Sequence, residues 1–262
     1  MLSDKILKTQ LSNTLEKTNF NAGKKYEGKV RDNYLLGDKR IIITTDRISA
    51  FDRVLCTIPF KGQVLNQTSA FWFKKTKDIV KNHVIEVPDP NVTVARECKL
   101  IPVEMVVRGY VTGVTTTSAW YNYERGVRNF CGNNLPDGMK KNQKFEKPII
   151  TPSTKAEKGS HDESVSGEEI IKRGLVDKET YNKMEKTAIA LYNFGNKLVA
   201  KNNLILVDTK YEFGIDVDGN LTLIDEIHTP DSSRYWIKNT YDSLFSEGEE
   251  PQKLDKEYVR QW

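Results

Sequence analysis

Cysteine and histidine are scarce, with three of each in 262 residues. Cys56, Cys98 and Cys131 are far apart and form no CxxC pair. Neither a disulfide framework nor a zinc site is expected, and a reducing compartment fits. No apolar run approaches membrane length, and the opening "MLSDKILKTQ" has no apolar signal core. Internal repeats and low-complexity segments are absent. So is a strong excess of one charge: the net value is +4, without a dense basic stripe. That balance suits small anionic ligands better than a nucleic-acid backbone. The phosphate-loop fingerprints GxxxxGK[ST] and GxGxxG do not occur. The kinase signatures HRD…N and DFG do not occur either, which argues against a protein kinase. The expectation is a cytoplasmic protein that binds small molecules and neither nucleic acid nor membrane; its oligomeric state is left open.

What is present is mixed. Hydrophobic residues make up 38% and charged residues 29%, ordinary for a soluble domain large enough to bury a core. "KKYEGKVRDNYLLG" and "KRIIITTDRISAFD" read as strands joined by Gly37-Asp38. "LNQTSAFWFKKTKDIV" has helical spacing at Leu65, Ser69, Trp72 and Ile79, and "HVIEV" and "ARECKLIPVEMVVRGY" read as strands. Residues 117–165 look loop-rich. Ser166 with Glu169 forms a capping box. The clearest helix is "KETYNKMEKTAIALYNFGNKLVAKNN", with Met184, Ala188, Leu191, Phe194 and Leu198 on one side. A polar C-terminal segment ends in Trp262. Strands and helices mix without a regular βαβ repeat, so the expected class is α+β, two-lobed, with antiparallel sheets.

The stretch "LILVDTKYEFGIDVDGNLTLIDE", residues 204–226, reads as a hairpin around Asp218-Gly219. Alternation puts Asp208, Lys210 and Glu212 on one face. If Asp218 and Gly219 form a two-residue turn, Glu212 lies opposite Asp225. Two opposed carboxylates destabilise a sheet unless something offsets them. A divalent cation shared with nucleotide phosphates is one solution, and a solvated face is the other.

Other segments carry candidate ligand groups. In "EGKVRDNY", Gly28 allows close approach of backbone, and Lys29 and Arg31 alternate onto one face. "TTDRISAFDR" clusters polar groups at the end of an apolar strand. Arg108, in "VVRGYVTGV", could clamp a phosphate or carboxylate in a bidentate manner. The polar loop 150–166 contains Lys155, His161 and Asp162 and has the character of a closing loop. Ser233 and Arg234, in "HTPDSSRYW", offer a hydroxyl and a guanidinium.

Seven segments in order ("GKVRDNY", "TTDRISAFD", "KGQVLNQTSAFWF", "VEMVVRGYVTG", "TPSTKAEKGSHDE", "LVDTKYEFGID" and "LIDEIHTPDSSRYW") resemble the SAICAR synthetase family. The resemblance spans about residues 24 to 240. It departs at Val114, where family members often carry serine, and Ser118 follows after a run of threonines. The resemblance implies a SAICAR synthase-like fold related to protein kinase and ATP-grasp architectures, with ATP in a cleft between lobes. A nucleotide-binding lobe would span 1–104, and a lobe with metal and substrate sites would span 105–262. The implied activity joins L-aspartate to carboxyaminoimidazole ribonucleotide, with ATP and Mg²⁺. The implied ATP-binding residues are Gly28, Lys29, Val30, Arg31, Lys99, Val103, Glu104 and Met105. Glu212 and Asp225 would hold the metal. Catalysis would fall to Lys210, Arg234 and Asp208. Substrate binding would fall to Ser49, Asp52, Arg108, Ser118, Lys155, His161, Asp162, Ser233 and Arg234.

Overall fold

A computed structural model describes residues 3–50, 53–155 and 163–256. The chain packs as two units, Met1–Lys75 with Asn82–Cys98, and Thr76–Lys81 with Lys99–Trp262. Both are α+β with antiparallel strands, the class expected from the sequence.

The first unit is built on a five-stranded sheet. Its order is Lys24–Glu27, Arg31–Leu36, Lys39–Thr44, Val92–Arg96, Val84–Asp89. Gly37-Asp38 joins the second and third strands as expected. Helix Lys61–Lys75 buries Leu65, Ser69, Trp72 and Phe73. It ends before Ile79, so that residue does not belong to its apolar stripe. The 27–34 stretch is not one strand containing a glycine. Gly28 N–H donates to the Arg31 carbonyl (2.8 Å), so Lys29 and Val30 form a turn, and Lys29 and Arg31 do not share a strand face.

One buried arginine fixes that turn. The Arg47 guanidinium donates to the carbonyls of Lys29 (3.0 Å), Gly28 (3.1 Å) and Glu16 (2.6 Å). It also pairs with Asp32 at 2.9 Å. Asp32 accepts in addition from the N–H and hydroxyl of Thr18. Burial alone would raise the Asp32 carboxyl, but the Thr18 N–H and the Arg47 guanidinium hold it below its ordinary value.

The second unit centres on two antiparallel strands of twelve residues each, Lys99–Tyr110 and Leu204–Ile215. Leu204–Ile215 also pairs with Leu221–Ile224 and with Ser233–Ile237. Lys99–Tyr110 also pairs with Lys144–Ile150 and Ser153–Thr154. Lys144–Ile150 is a strand where the sequence read as loop. It carries Pro148 and a register shift, both typical of a strand that pairs imperfectly. Helix Gly167–Lys172 starts on the expected cap, with the Ser166 hydroxyl accepting from Glu169 N–H. Helix Lys178–Val199 covers the sheet. It buries Tyr181, Met184, Ala188, Leu191, Tyr192, Gly195 and Val199. Phe194 and Leu198, expected in that stripe, are only half-buried, because a 3.6-residue repeat carries the buried face through Gly195 and Val199. The polar C-terminal segment contains a helix, Lys238–Glu247, anchored by Tyr241 against Trp236 and Tyr110.

The hairpin register differs from the two-residue turn. Glu212 pairs with Ile224, and Ile215 with Leu221. Asp216 is the reason. Its carboxylate accepts from the N–H groups of Asp218 (3.0 Å) and Asn220 (2.7 Å). The loop therefore has three residues, 217–219, closed by Gly219 N–H on the Asp216 carbonyl, with Gly219 at φ +80°. Asp225 thus lies beyond the strand end and not across from Glu212.

Arg47→Met should lower the unfolding free energy by about 1.5–3 kcal/mol, since it removes one of the two cations paired with buried Asp32 and leaves Lys25, at 3.2 Å, as the other. Urea denaturation measures this. A loss near zero would show that the turn does not depend on Arg47.

Candidate functional site

Strand Leu204–Ile215 builds the site by alternation. Val207, Thr209, Tyr211 and Phe213 are buried, and Asp208, Lys210 and Glu212 share the other face. Two neighbouring strands fix what each charged residue meets. Asp208 aligns with Arg108 on one side and Arg234 on the other, and Glu212 aligns with Glu104.

At the Glu212 end the opposed carboxylates are Glu104 and Glu212. Lys210 bridges them, 2.7 Å from Glu104 Oε1 and 2.9 Å from Glu212 Oε1. Lys155 Nζ meets the other Glu212 oxygen at 2.5 Å. Burial would raise the Glu212 carboxyl, but Lys210 and Lys155 outweigh it and hold Glu212 well below the usual carboxylate range. Burial would likewise lower the Lys210 ammonium, but Glu212, Glu104 and Asp225 lift it well above its ordinary value. Asp225 therefore acts on the same ammonium. It adopts φ +69°, a left-handed conformation that is uncommon for a residue with a side chain.

At the Asp208 end two guanidiniums share one carboxylate. Arg234 Nη1 is 2.6 Å and Arg108 Nη1 3.4 Å from Asp208 Oδ2. Arg108 is buried inside strand Lys99–Tyr110, not beyond its end. Its Nε donates to Thr151 Oγ1 (2.7 Å) and its Nη2 to the Thr117 carbonyl (2.8 Å). Two positive charges against one negative leave this end with spare attraction for an anion. Four residues of strand separate it from Glu212, about 13 Å at 3.3 Å per residue.

Ser118 joins this end. It is buried, and its Oγ lies 2.7 Å from Thr115 Oγ1. A Cβ on Gly113 would stand 2.4 Å from Ser118 Oγ and 3.1 Å from Arg234 Nη2, so both groups close on the bare glycine. Val114 is exposed. Ser233 is one residue from Arg234, and its hydroxyl donates to Thr209 Oγ1 (2.8 Å).

The remaining candidates are dispersed. Val103 and Met105 point into the core, so Glu104 carries the accessible side chain of that stretch, and Lys99 begins the strand. Gly28, Lys29, Val30 and Arg31 form the turn of the first unit. Ser49 is buried in strand Arg47–Ala50 of that unit. Asp52, His161 and Asp162 lie outside the described residues. Sequence reasoning missed Thr151, Thr115 and the Arg47 support, because nothing in their local pattern separates them from ordinary loop or strand residues.

Among the described residues no three His, Cys, Asp or Glu side chains gather as a metal cage. Glu212 and Asp225 offer hard oxygen donors beside one ammonium. That fits a Mg²⁺ held by one or two carboxylates together with nucleotide phosphates, and it does not fit an all-protein cage.

Carboxylates and lysines at one end of a strand, with an arginine pair at the other, make a strand face on which charge is segregated. The comparisons then give the family. The SAICAR synthetase profile matches residues 24–262. The phosphoribosylaminoimidazole-succinocarboxamide synthase of Legionella pneumophila (strain Lens) is 54% identical over 95% of this chain and 79% of its own. The chloroplastic enzyme of that name from Vigna aconitifolia is 52% identical over 99% of this chain and 77% of its own. Among solved structures, the SAICAR synthase of Saccharomyces cerevisiae complexed with SAICAR superposes with a TM-score of 0.82. It shares 32% identity over 95% of this chain and 86% of its own. A type-2 SAICAR synthetase in complex with ADP gives a TM-score of 0.74 at 26% identity, over 90% of each chain. This chain belongs to the SAICAR synthetase family.

The Glu212 cluster should also be visible in stability against pH. A carboxyl depressed in the folded state contributes stability that is present above its unfolded value, about 4.3, and lost as pH falls below it. Glu212→Gln should therefore flatten the stability curve below about pH 5. At neutral pH it should cost roughly 1–3 kcal/mol, discounted because both lysine partners are partly exposed. Urea unfolding across pH checks both. Equal acid slopes in variant and wild type would show that Glu212 is not held low.

Proposed function

We propose that the chain joins L-aspartate to carboxyaminoimidazole ribonucleotide at the expense of ATP, giving SAICAR, ADP and phosphate, a step of purine biosynthesis. The observation that carries this reading is the polarised strand face, with an anion clamp at Asp208 and a carboxylate–lysine cluster at Glu212. It stands in a chain 54% identical to a synthase of that name. A cytoplasmic location is part of this proposal; among the described residues no helix is long and apolar enough to cross a membrane.

A carboxylate is a poor electrophile. Its oxygen first takes the γ-phosphoryl group of ATP and becomes an acyl phosphate. The aspartate amine then attacks the acyl carbon, and phosphate leaves with the C–O bond electrons. Most of the work is positioning and charge neutralisation. Arg108 and Arg234 hold an anionic group of the ribonucleotide. Asp208 has one oxygen between both guanidiniums, so it orients them and does not transfer protons. Lys210 neutralises charge on the transferring group, and Lys155 stands beside it. Ser118 and Ser233 are proposed as hydroxyl contacts. Glu212 and Asp225 are the carboxylates proposed to hold Mg²⁺, which supplies further neutralisation on the phosphates. In the first unit, the Gly28–Arg31 turn held by Arg47 is the proposed phosphate contact.

ADP release should require both aspartate and the ribonucleotide. Release with neither would favour a hydrolase. Asp225→Asn should lower kcat by about 100-fold or more while the protein stays folded; near-normal turnover would remove Asp225 from the metal site.

Arg234→Ala should raise the KM for an anionic co-substrate by about 10- to 150-fold, and that for ATP far less, matching loss of a charge-assisted hydrogen bond of roughly 1.5–3 kcal/mol. An equal rise for ATP would assign Arg234 to the nucleotide.

With ¹⁸O in the ribonucleotide carboxylate, one labelled oxygen should appear in the released phosphate. Label arriving from aspartate instead would overturn the acyl phosphate and leave the ligase standing.

A further inference from the structure

Asp225 and Arg234 are the two ends of one connection. The chain leaves strand Leu221–Ile224 at Asp225 and re-enters the sheet at Ser233–Ile237. Two residues of this connection that are not glycine, Asp225 and His228, hold left-handed φ values of +69° and +52°. Such conformations persist only where the surroundings over-determine them. The surroundings here meet at His228.

His228 is fully buried. Its Nε2 lies 2.6 Å from Tyr211 Oη. Its carbonyl accepts from Tyr235 Oη, also at 2.6 Å. Its ring packs where a side chain on Gly195 would stand, since a Cβ there would lie 2.4 Å from His228 Cε1. The helix therefore needs glycine at this point. The next residue, Thr229, bonds the Glu226 carboxylate and lies 3.1 Å from Ser232 Oγ. These contacts tie the middle of the connection to the sheet and to helix Lys178–Val199.

The two tyrosines are placed for a purpose. Tyr211 sits between Lys210 and Glu212 in the strand, so its side chain leaves the opposite face. Tyr235 follows Arg234 in the same way. The His228 ring thus meets the reverse side of the strand that carries Lys210 and Glu212, and its backbone carbonyl meets the reverse side of the strand that carries Arg234.

We propose that His228 is a positioning residue: its ring, held by Tyr211, sets its own backbone, whose carbonyl receives Tyr235, so that Asp225 and Arg234 are aligned from one buried residue. This rests on the ligase reading given above. Burial pushes the imidazole down to about 3, so the ring stays neutral at working pH and the tyrosine contact persists.

The test uses the full chain with His228→Leu, His228→Gln and Tyr211→Phe. Leucine keeps bulk and removes the ring nitrogens, while glutamine can return a polar atom near the Nε2 position. Tyr211→Phe deletes one hydroxyl and leaves the backbone alone. Kinetics are run well below each unfolding midpoint. Mn²⁺ binding to the ADP complex is followed separately by electron paramagnetic resonance, with no turnover needed. In His228→Leu and Tyr211→Phe, kcat should fall about tenfold or more, Mn²⁺ affinity should weaken by a similar factor, and the KM for the ribonucleotide should rise. His228→Gln should recover a large part of all three. Should His228→Leu not fold, Tyr211→Phe decides the matter. The proposal is overturned if the variants lose thermal stability but keep wild-type kinetics and Mn²⁺ affinity when folded. A change confined to the metal end or to the anion end would overturn it too. A wild-type enzyme that forms no product from aspartate and the ribonucleotide would refute the ligase reading instead.

Discussion

Glu104 and Glu212 face each other across neighbouring strands, and the site depends on how that repulsion is met. Like charges directly opposed weaken a sheet. Lys210, two residues away on the same face, bridges both, and Lys155 takes the remaining oxygen. The arrangement works in only one register. A slip of one residue would send Lys210 and Glu212 into the space of Tyr211 and Phe213, both fully buried. Hydrophobic alternation thus fixes the register, and the register fixes the charges.

The same strand shows how much the sequence reveals. The alternation in "VDTKYEF" is plain, and the charged face it implies is the one observed. Helix Lys178–Val199 is equally plain, because its apolar repeat is long. The partner of Glu212 was misread for a local reason. Asp-Gly suggests a two-residue turn, but Asp216, two positions earlier, captures the N–H groups of Asp218 and Asn220 and lengthens the loop. An Asx side chain ahead of Asp-Gly is the signal that could have found it. Strand Lys144–Ile150 hid behind Pro148 and its charges. Helix Lys238–Glu247 hid because Tyr241 alone is buried. Arg47 was out of reach altogether. Besides Asp32, its partners are carbonyls at residues 16, 28 and 29, and carbonyls carry no sequence identity. Local periodicity shows elements and faces, whereas long-range hydrogen bonds to backbone leave no pattern to read.

Charge along strand Leu204–Ile215 is segregated. The Asp208 end has two guanidiniums to one carboxylate. The other end has three carboxylates, Glu104, Glu212 and Asp225, around Lys210 and Lys155. Arginine suits the first end because its rigid fork donates several bonds at once. Arg108 meets Asp208, Thr151 and the Thr117 carbonyl from three separate nitrogens, a spread that the single nitrogen of lysine does not offer. Lysine suits the second end as a compact charge among several carboxylate oxygens. The strand face therefore presents opposite surroundings at its two ends.

Val114 bears on this account as the position where the sequence departs from its family resemblance. The side chain at 114 is exposed, so its identity matters little to packing. The space beside Arg234 is set instead by Gly113, whose missing side chain admits Ser118 Oγ on one side and Arg234 Nη2 on the other. The Thr115 hydroxyl and N–H both reach Ser118 Oγ and hold the 113–118 turn in that shape. The Thr117 carbonyl in turn receives Arg108. The turn is thus bonded to Arg108 at Thr117 and lies close to Arg234 at Gly113. Ser118 thus stands beside the Arg234 guanidinium, four residues beyond Val114, because a glycine leaves it room.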